Sequence, residues 1–105
     1  MRGLGHGQVW WADLDKIRPV LVLTRQAVAG RLHRVLVAPI TSTVRAIPVE
    51  VELGRHEGIA DGSVANLDNV QLVPVSRLLR PAGSIHPARW PEVCAAMAHT
   101  IGCGR

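Results

Sequence analysis

The chain has 105 residues, of which 48% are hydrophobic and 3% aromatic, and it carries a formal net charge of +4. This length predicts one domain over residues 1–105 with a single, mainly aliphatic core, and the composition excludes a disordered chain. The two cysteines and scattered histidines form no disulfide framework or metal-ligand pattern, and no apolar run resembles a signal peptide or membrane span. We therefore expect a cytoplasmic protein without a metal or other cofactor.

The basic balance of the chain favours an anionic partner, either a nucleic acid or an acidic protein segment. Lysine occurs once, as Lys16, whereas arginines cluster between Arg18 and Arg45. A genome rich in G and C would also enrich arginine, so charge alone leaves both interpretations open.

Short β-prone runs separated by polar connections predict strands along most of the chain. In chain order these strands cover residues 8–14, 18–24, 33–40, 47–53, 63–67 and 70–75, with a last extended piece at 83–85. Alternation in the first run places Trp10, Ala12 and Leu14 on one face and Trp11 on the other. The connections are predicted to be a tight turn at 15–17, a loop at 25–31 broken by Gly30, a hydroxyl-rich loop at 41–46, an Asp68-Asn69 kink and a helical turn at 76–79.

The periodicity changes near the end of the chain, where residues 88–101 read as an amphipathic helix that Gly102 ends. Its predicted apolar stripe contains Trp90, Val93, Cys94, Met97 and Ile101, so Cys94 is expected to be a buried thiol. Short strands followed by one helix predict a mainly β (α+β) fold, a small, strongly bent antiparallel sheet or barrel closed by the helix.

Several segments in register carry a resemblance to a known family. They are Gln8-Val9-Trp10, Asp13-Leu14, Arg18-Pro19-Val20-Leu21-Val22-Leu23, Ala38-Pro39-Ile40-Thr41-Ser42, Ser63-Val64 and Arg77-Leu78. Over roughly residues 5–102 the chain resembles the MazF/PemK-type toxins of bacterial toxin–antitoxin pairs. Many members carry a longer Gly- and Glu-containing loop between the first two strands, where this chain has only Asp15, Lys16 and Ile17.

The resemblance implies a small SH3-like antiparallel β-barrel of the CcdB/PemK type with a C-terminal helix, assembled as a symmetric homodimer. It implies metal-independent, sequence-specific cleavage of single-stranded RNA, in which a 2′-hydroxyl attacks the adjacent phosphate and leaves 2′,3′-cyclic phosphate and 5′-hydroxyl ends. The implied partner is a cognate antitoxin whose disordered acidic segment lies over the active groove of the toxin. Two alternatives share this architecture, namely a CcdB-like toxin that poisons DNA gyrase and a non-catalytic SH3-like binding module.

Three residues are the candidate catalytic groups. Arg18 would stabilise negative charge on the phosphate, because a guanidinium matches phosphate oxygens, or it would pair with Asp13 or Asp15 at the surface. Thr41 would place a hydroxyl on a phosphate oxygen or cap its own backbone. By the resemblance, Asp68 would take the proton of the 2′-hydroxyl; it would otherwise orient Arg18 or merely turn the chain.

A wider set of basic, hydroxyl, amide and aromatic side chains is predicted to contact RNA. It consists of Trp11, Lys16, Arg25, Arg31, Arg34, Ser42, Thr43, Arg45, Asn66 and Asn69. The basic members would hold phosphates without reading sequence, whereas Trp11 would stack on a base or lie in a dimer interface. His33 and His56 are candidates to approach the site, although no motif places them there.

Overall fold

The computed structural model describes residues 3–26, 31 and 33–103, which form one curled antiparallel sheet with a helix packed on it. The elements are β1 (Gln8–Asp13), β2 (Ile17–Val22), β3 (Arg34–Thr41), β4 (Glu50–Leu53), β5 (Ser63–Asn66), β6 (Gln71–Pro74), β7 (Leu78–Ser84) and α1 (Trp90–Thr100). The strand order is β4-β5-β3-β2-β1-β7, and β6 also pairs with β3. The predicted bent antiparallel sheet closed by a C-terminal helix is confirmed.

The sheet is apolar on both faces. The interior therefore contains two hydrophobic clusters, although the sequence predicted a single core. One cluster lies on the face that α1 covers and includes Leu21, Leu67 and Val93, with Trp11 packed against it. The other contains Trp10 and Ala12, with Leu14 packed at its margin. The predicted alternation of β1 is thus confirmed, because successive side chains point to opposite faces of a strand.

The last strand is longer than the sequence predicted, and it begins earlier. A 3₁₀ turn occupies Val75–Arg77 where residues 76–79 were expected to be helical, and β7 then runs over Leu78–Ser84 where only 83–85 were expected to be extended. β7 contains Pro81 and Gly83, which are typical of loops, but among the described strands it pairs with β1 alone and forms an edge of the sheet. An edge strand tolerates proline because its outer N–H groups need no partner.

The connections around β2 follow the prediction where the structure describes them. Residues 14–16 form the short turn between β1 and β2, with the Leu14 N–H donating to the Lys16 carbonyl at 3.2 Å. The predicted kink at Asp68-Asn69 is a 3₁₀ turn over Leu67–Asn69. The predicted loop at 25–31 falls largely on residues 27–30, including Gly30, which lie outside the described residues.

The helix is confirmed, but its buried face differs from the predicted stripe. Val93 and Ala96 are the buried residues of α1, whereas Cys94 is exposed and Ile101 is 61% exposed. α1 packs against the 3₁₀ turn at 67–69 and against β4, so a small alanine faces the sheet and the thiol faces outward. Gly102, at φ +77°, follows the end of the helix as predicted. No helix among the described residues is long and apolar enough to cross a membrane.

Arg89 ties the beginning of the helix to the sheet. Its Nε and Nη2 donate to the Glu92 carboxylate at 2.8 and 3.0 Å, and Nη2 also donates to the Glu52 carbonyl at 2.8 Å. Its Nη1 lies 3.4 Å from Oε2 of Glu57, a carboxylate that is only 5% exposed and whose Oε1 accepts the Gly54 N–H. The hydrogen bond with Arg89 lowers the pKa of Glu92, and the same bond raises the pKa of Arg89.

Replacing Arg89 by alanine is expected to lower the free energy of unfolding by about 1–3 kcal/mol, because the buried Glu57 carboxylate loses its cation. The Glu92 carboxyl has a lowered pKa, so the stabilisation from its pair with Arg89 is present above the ordinary value near 4.5 and is lost as the pH falls through the lowered pKa. Urea unfolding at neutral and acidic pH measures both effects. Arg55→Ala is the control, since Arg55 and its partner Asp61 are 86% and 68% exposed. An equal loss of unfolding free energy in both variants would contradict the stabilising role of Arg89.

Candidate active site

A groove opens where β2 begins and β3 ends. The β2–β3 ladder pairs Val20 with Pro39, and continuing its register by two residues brings Arg18 opposite Thr41. On the other side of β3, Thr41 pairs with Val64 of β5. Three adjoining depressions of about 620, 250 and 200 Å³ all include Arg18 in their walls. Two motifs far apart in sequence therefore meet at one site.

Arg18 is held by one carboxylate and retains unused donors. Its Nη2 donates to Oδ2 of Asp15 at 3.0 Å, and its side chain is 24% exposed. Its Nε is buried and has no hydrogen-bond partner within the described part of the chain. Because Nε is buried, an anion in the groove would meet the part of the Arg18 side chain that remains exposed, and the pair with Asp15 uses only one of its N–H donors.

Thr41 lines the two smaller depressions together with Arg18. Its Oγ1 accepts the Thr43 N–H at 3.1 Å, which is the backbone cap weighed in the sequence analysis. A hydroxyl that accepts one hydrogen bond still has its own proton to donate. The cap therefore orients the hydroxyl without preventing it from donating to an anion beside Arg18.

Asp68 lines the largest depression, again with Arg18. Its N–H donates to Oδ1 of Asn66 at 2.9 Å, and its Oδ1 accepts the Thr100 hydroxyl at 3.1 Å. The carboxylate that pairs with Arg18 is Asp15, so the Arg18-orienting role weighed for Asp68 belongs to Asp15. Asp68 thus reaches the groove without forming an ion pair with an arginine in the described structure.

Most of the other predicted RNA contacts lie around the same groove. Trp11, Lys16 and Ser42 line the 250 Å³ depression, while Thr43, Arg45, Asn66 and Asn69 line the 200 Å³ depression. Asn66 is only 7% exposed and caps the turn that carries Asp68, so it also has a structural role.

Arg25, Arg31 and Arg34 lie away from the groove. Arg34 begins β3 and Thr41 ends it, so the eight-residue strand separates them by roughly 25 Å. Arg25 and Arg31 belong to the connection between β2 and β3, at the same end of the sheet as Arg34. Any RNA contact that these arginines make would be distant from Arg18.

The structure adds residues to the site that the sequence analysis did not assign to it. Gln71 lines the largest depression, and Asp15 orients Arg18 from three residues away. The Arg80 guanidinium lies over the Trp11 ring, 5.4 Å from its centroid, because β7 pairs Arg80 with Trp11. The sequence had already suggested Asp15 as a surface partner of Arg18, whereas Arg80 depends on a strand that was not predicted.

The histidines do not enter the groove. His33 is exposed just before β3, and His56 lines a different cavity together with Glu57 and Arg89. Among the described residues, no three His, Cys, Asp or Glu side chains are grouped so as to hold a metal ion. The candidate reactive groups of the groove are therefore the guanidinium of Arg18, the hydroxyl of Thr41 and the carboxylate of Asp68, with Asp15 as a second carboxylate.

The model of the PemK-like, MazF-like toxins of type II toxin–antitoxin systems matches residues 6–101. The chain belongs to this toxin family. The probable endoribonuclease MazF5 of Mycobacterium tuberculosis is 39% identical over 103 residues, covering 95% of this chain and 94% of that protein.

Solved structures of family members have the same fold. The Mycobacterium tuberculosis toxin MazF-mt6 is similar at a TM-score of 0.89 and 38% identity, covering 93% of this chain and 99% of the toxin. An endoribonuclease solved in complex with its cognate antitoxin, from a mycobacterial species, is similar at a TM-score of 0.86 and 26% identity, covering 97% and 98%. The family resemblance carried by the sequence motifs is confirmed.

Proposed function

We propose that this toxin-family member is an endoribonuclease that cleaves single-stranded RNA in the groove at Arg18. The observation that carries the proposal is that the partly exposed Arg18 lines all three depressions, sharing the largest with Asp68 and the two smaller ones with Thr41. A guanidinium with unused donors fits a phosphodiester, and it cannot exchange protons easily near neutral pH. Arg18 therefore acts by stabilising negative charge on the phosphate and not by transferring a proton.

The cleavage step uses a nucleophile that belongs to the RNA. Asp68 takes the proton from the 2′-hydroxyl, the 2′-oxygen forms a bond to phosphorus, and the bond from phosphorus to the 5′-oxygen breaks. The leaving 5′-oxygen takes a proton from solvent, which gives 2′,3′-cyclic phosphate and 5′-hydroxyl ends. Arg18 and the Thr41 hydroxyl bind the non-bridging oxygens, where negative charge grows in the transition state. DNA lacks the 2′-hydroxyl and is not a substrate.

The direct test is incubation of the purified protein with a long single-stranded RNA in EDTA, followed by end-group analysis of the fragments. Discrete cuts with the ends given above support metal-independent cleavage and reveal the recognised sequence. A matched oligonucleotide with a single 2′-deoxy substitution at the cut should bind but stay intact. Intact RNA in the first assay, or cleavage of the deoxy substrate, would overturn the mechanism.

Thr41→Val is expected to lower the single-turnover cleavage rate by about 10-fold, because one donor to the developing charge is lost. The dissociation constant for uncleaved RNA should change little, since Arg18 and the surrounding cations remain. Thr41→Ser keeps a hydroxyl and should retain most of the rate. A matching loss of RNA affinity and thermal stability would instead make Thr41 a structural cap.

A cognate antitoxin and a second copy of the chain are the partners that we propose. The groove is bordered by Lys16, Arg18 and Arg45, so a disordered acidic segment would compete with RNA for the same cations. The homodimer is proposed from the family to which the chain belongs. Competition between an acidic peptide and RNA for the groove tests the antitoxin. Sedimentation analysis tests the homodimer, and a monomer at micromolar concentration would contradict it.

A further inference from the structure

The carboxylate in the groove is connected to the end of the helix by a single side-chain contact. Thr100, in the last turn of α1, donates its hydroxyl to Oδ1 of Asp68 at 3.1 Å across 32 residues of sequence. A threonine in a helix commonly donates to a carbonyl of its own preceding turn. Here the hydroxyl reaches a different element, so the contact links α1 to the wall of the groove.

Asp68 is fixed from two directions by this arrangement. Asn66 holds its backbone, because the Asn66 side chain accepts the Asp68 N–H at 2.9 Å, and Thr100 holds its side chain. Oδ1 is thereby occupied, while Oδ2 has no hydrogen bond within the described structure. A carboxylate with one oxygen held and one oxygen free has a defined position from which to accept a proton.

We propose that Thr100 is a positioning residue for RNA cleavage, which fixes the Asp68 carboxylate so that its free oxygen meets the 2′-hydroxyl. The inference rests on the proposed role of Asp68 as the base. A base must lie within hydrogen-bond reach of the proton that it takes, and an error of about 1 Å in position can cost about 100-fold in rate. An exposed aspartate without this anchor would sample several rotamers and be in place only part of the time.

The test compares Thr100→Val, Thr100→Ser and Cys94→Ala, which alters an exposed position of the same helix. Valine keeps the shape of threonine and removes the donor, so the single-turnover rate should fall about 10-fold while KM stays within about twofold. Serine should restore most of the rate, and Cys94→Ala should match the unsubstituted protein. Equal rates for Thr100→Val and the unsubstituted protein would overturn the inference.

A double-mutant cycle separates positioning from a general structural effect. In an Asp68→Asn background there is no base to position, so adding Thr100→Val should leave the residual rate unchanged. The same fold-loss in both backgrounds would show that Thr100 acts independently of Asp68 and would overturn the proposal. Absence of cleavage by the unsubstituted protein would overturn the proposed function itself, which is a separate and recognisable result.

Discussion

Arg18→Ala is expected to lower the rate of RNA cleavage by about 100- to 1,000-fold, the loss typical when one preorganised donor to a developing oxyanion is removed. The guanidinium is already oriented by its hydrogen bond to Asp15, so little of its orientation has to be established when phosphate binds. Single-turnover cleavage of a defined oligonucleotide measures the effect. Arg18→Lys should recover only part of the rate, because an ammonium lacks the planar fork that matches phosphate oxygens.

Arg34→Ala is the matched control for this prediction. Arg34 is also an arginine near the beginning of a strand, but it is exposed and lies at the far end of β3 from the groove. Its removal should leave the rate nearly unchanged. Folding of Arg18→Ala should be close to normal, since the lost ion pair involves Asp15, which is 74% exposed, and such pairs contribute about 0–1 kcal/mol. A folded Arg18→Ala protein with unaltered cleavage would remove Arg18 from the mechanism.

The central features of the site could be predicted because they are local. A charged residue beside a proline at one strand end, and a hydroxyl pair at another, identify positions where buried strands reach the surface. Continuing the antiparallel register beyond the Val20–Pro39 pair then brings Arg18 opposite Thr41. Sequence alone could not decide whether Arg18 binds an anion or only pairs with Asp15. The structure contains both the ion pair and an unused donor on Arg18.

Features that depend on long-range pairing were missed or misplaced. β7 reads as a loop because of Pro81 and Gly83, and only its pairing with β1 makes it a strand and brings Arg80 over Trp11. Counting charges could not separate Arg45, which follows the end of β3 and lines the groove, from Arg34 at the opposite end of β3. On α1, hydrophobic periodicity could not determine that Ala96 rather than Cys94 faces the sheet.

Asp68→Asn should reduce the cleavage rate by about 100-fold or more, because the amide cannot take the proton of the 2′-hydroxyl. The substitution tests chemistry with little change of structure. Asparagine keeps an oxygen that can accept the Thr100 hydroxyl, and it suits the 3₁₀ turn at 67–69 as well as aspartate does. The affinity for uncleaved RNA should stay the same or rise, since a negative charge is removed from the groove.

Asn69→Ala provides the control for Asp68→Asn, because Asn69 belongs to the same turn and lines the groove but holds no ionisable group. If Asp68 is the base, Asp68→Asn lowers the single-turnover rate with RNA binding intact, whereas Asn69→Ala acts mainly on affinity. If Asp68 only turns the chain, Asp68→Asn cleaves at the full rate, since the turn and both hydrogen bonds survive. The groove would then need another proton acceptor, and Asp15 is the other carboxylate that lines the largest depression with Arg18.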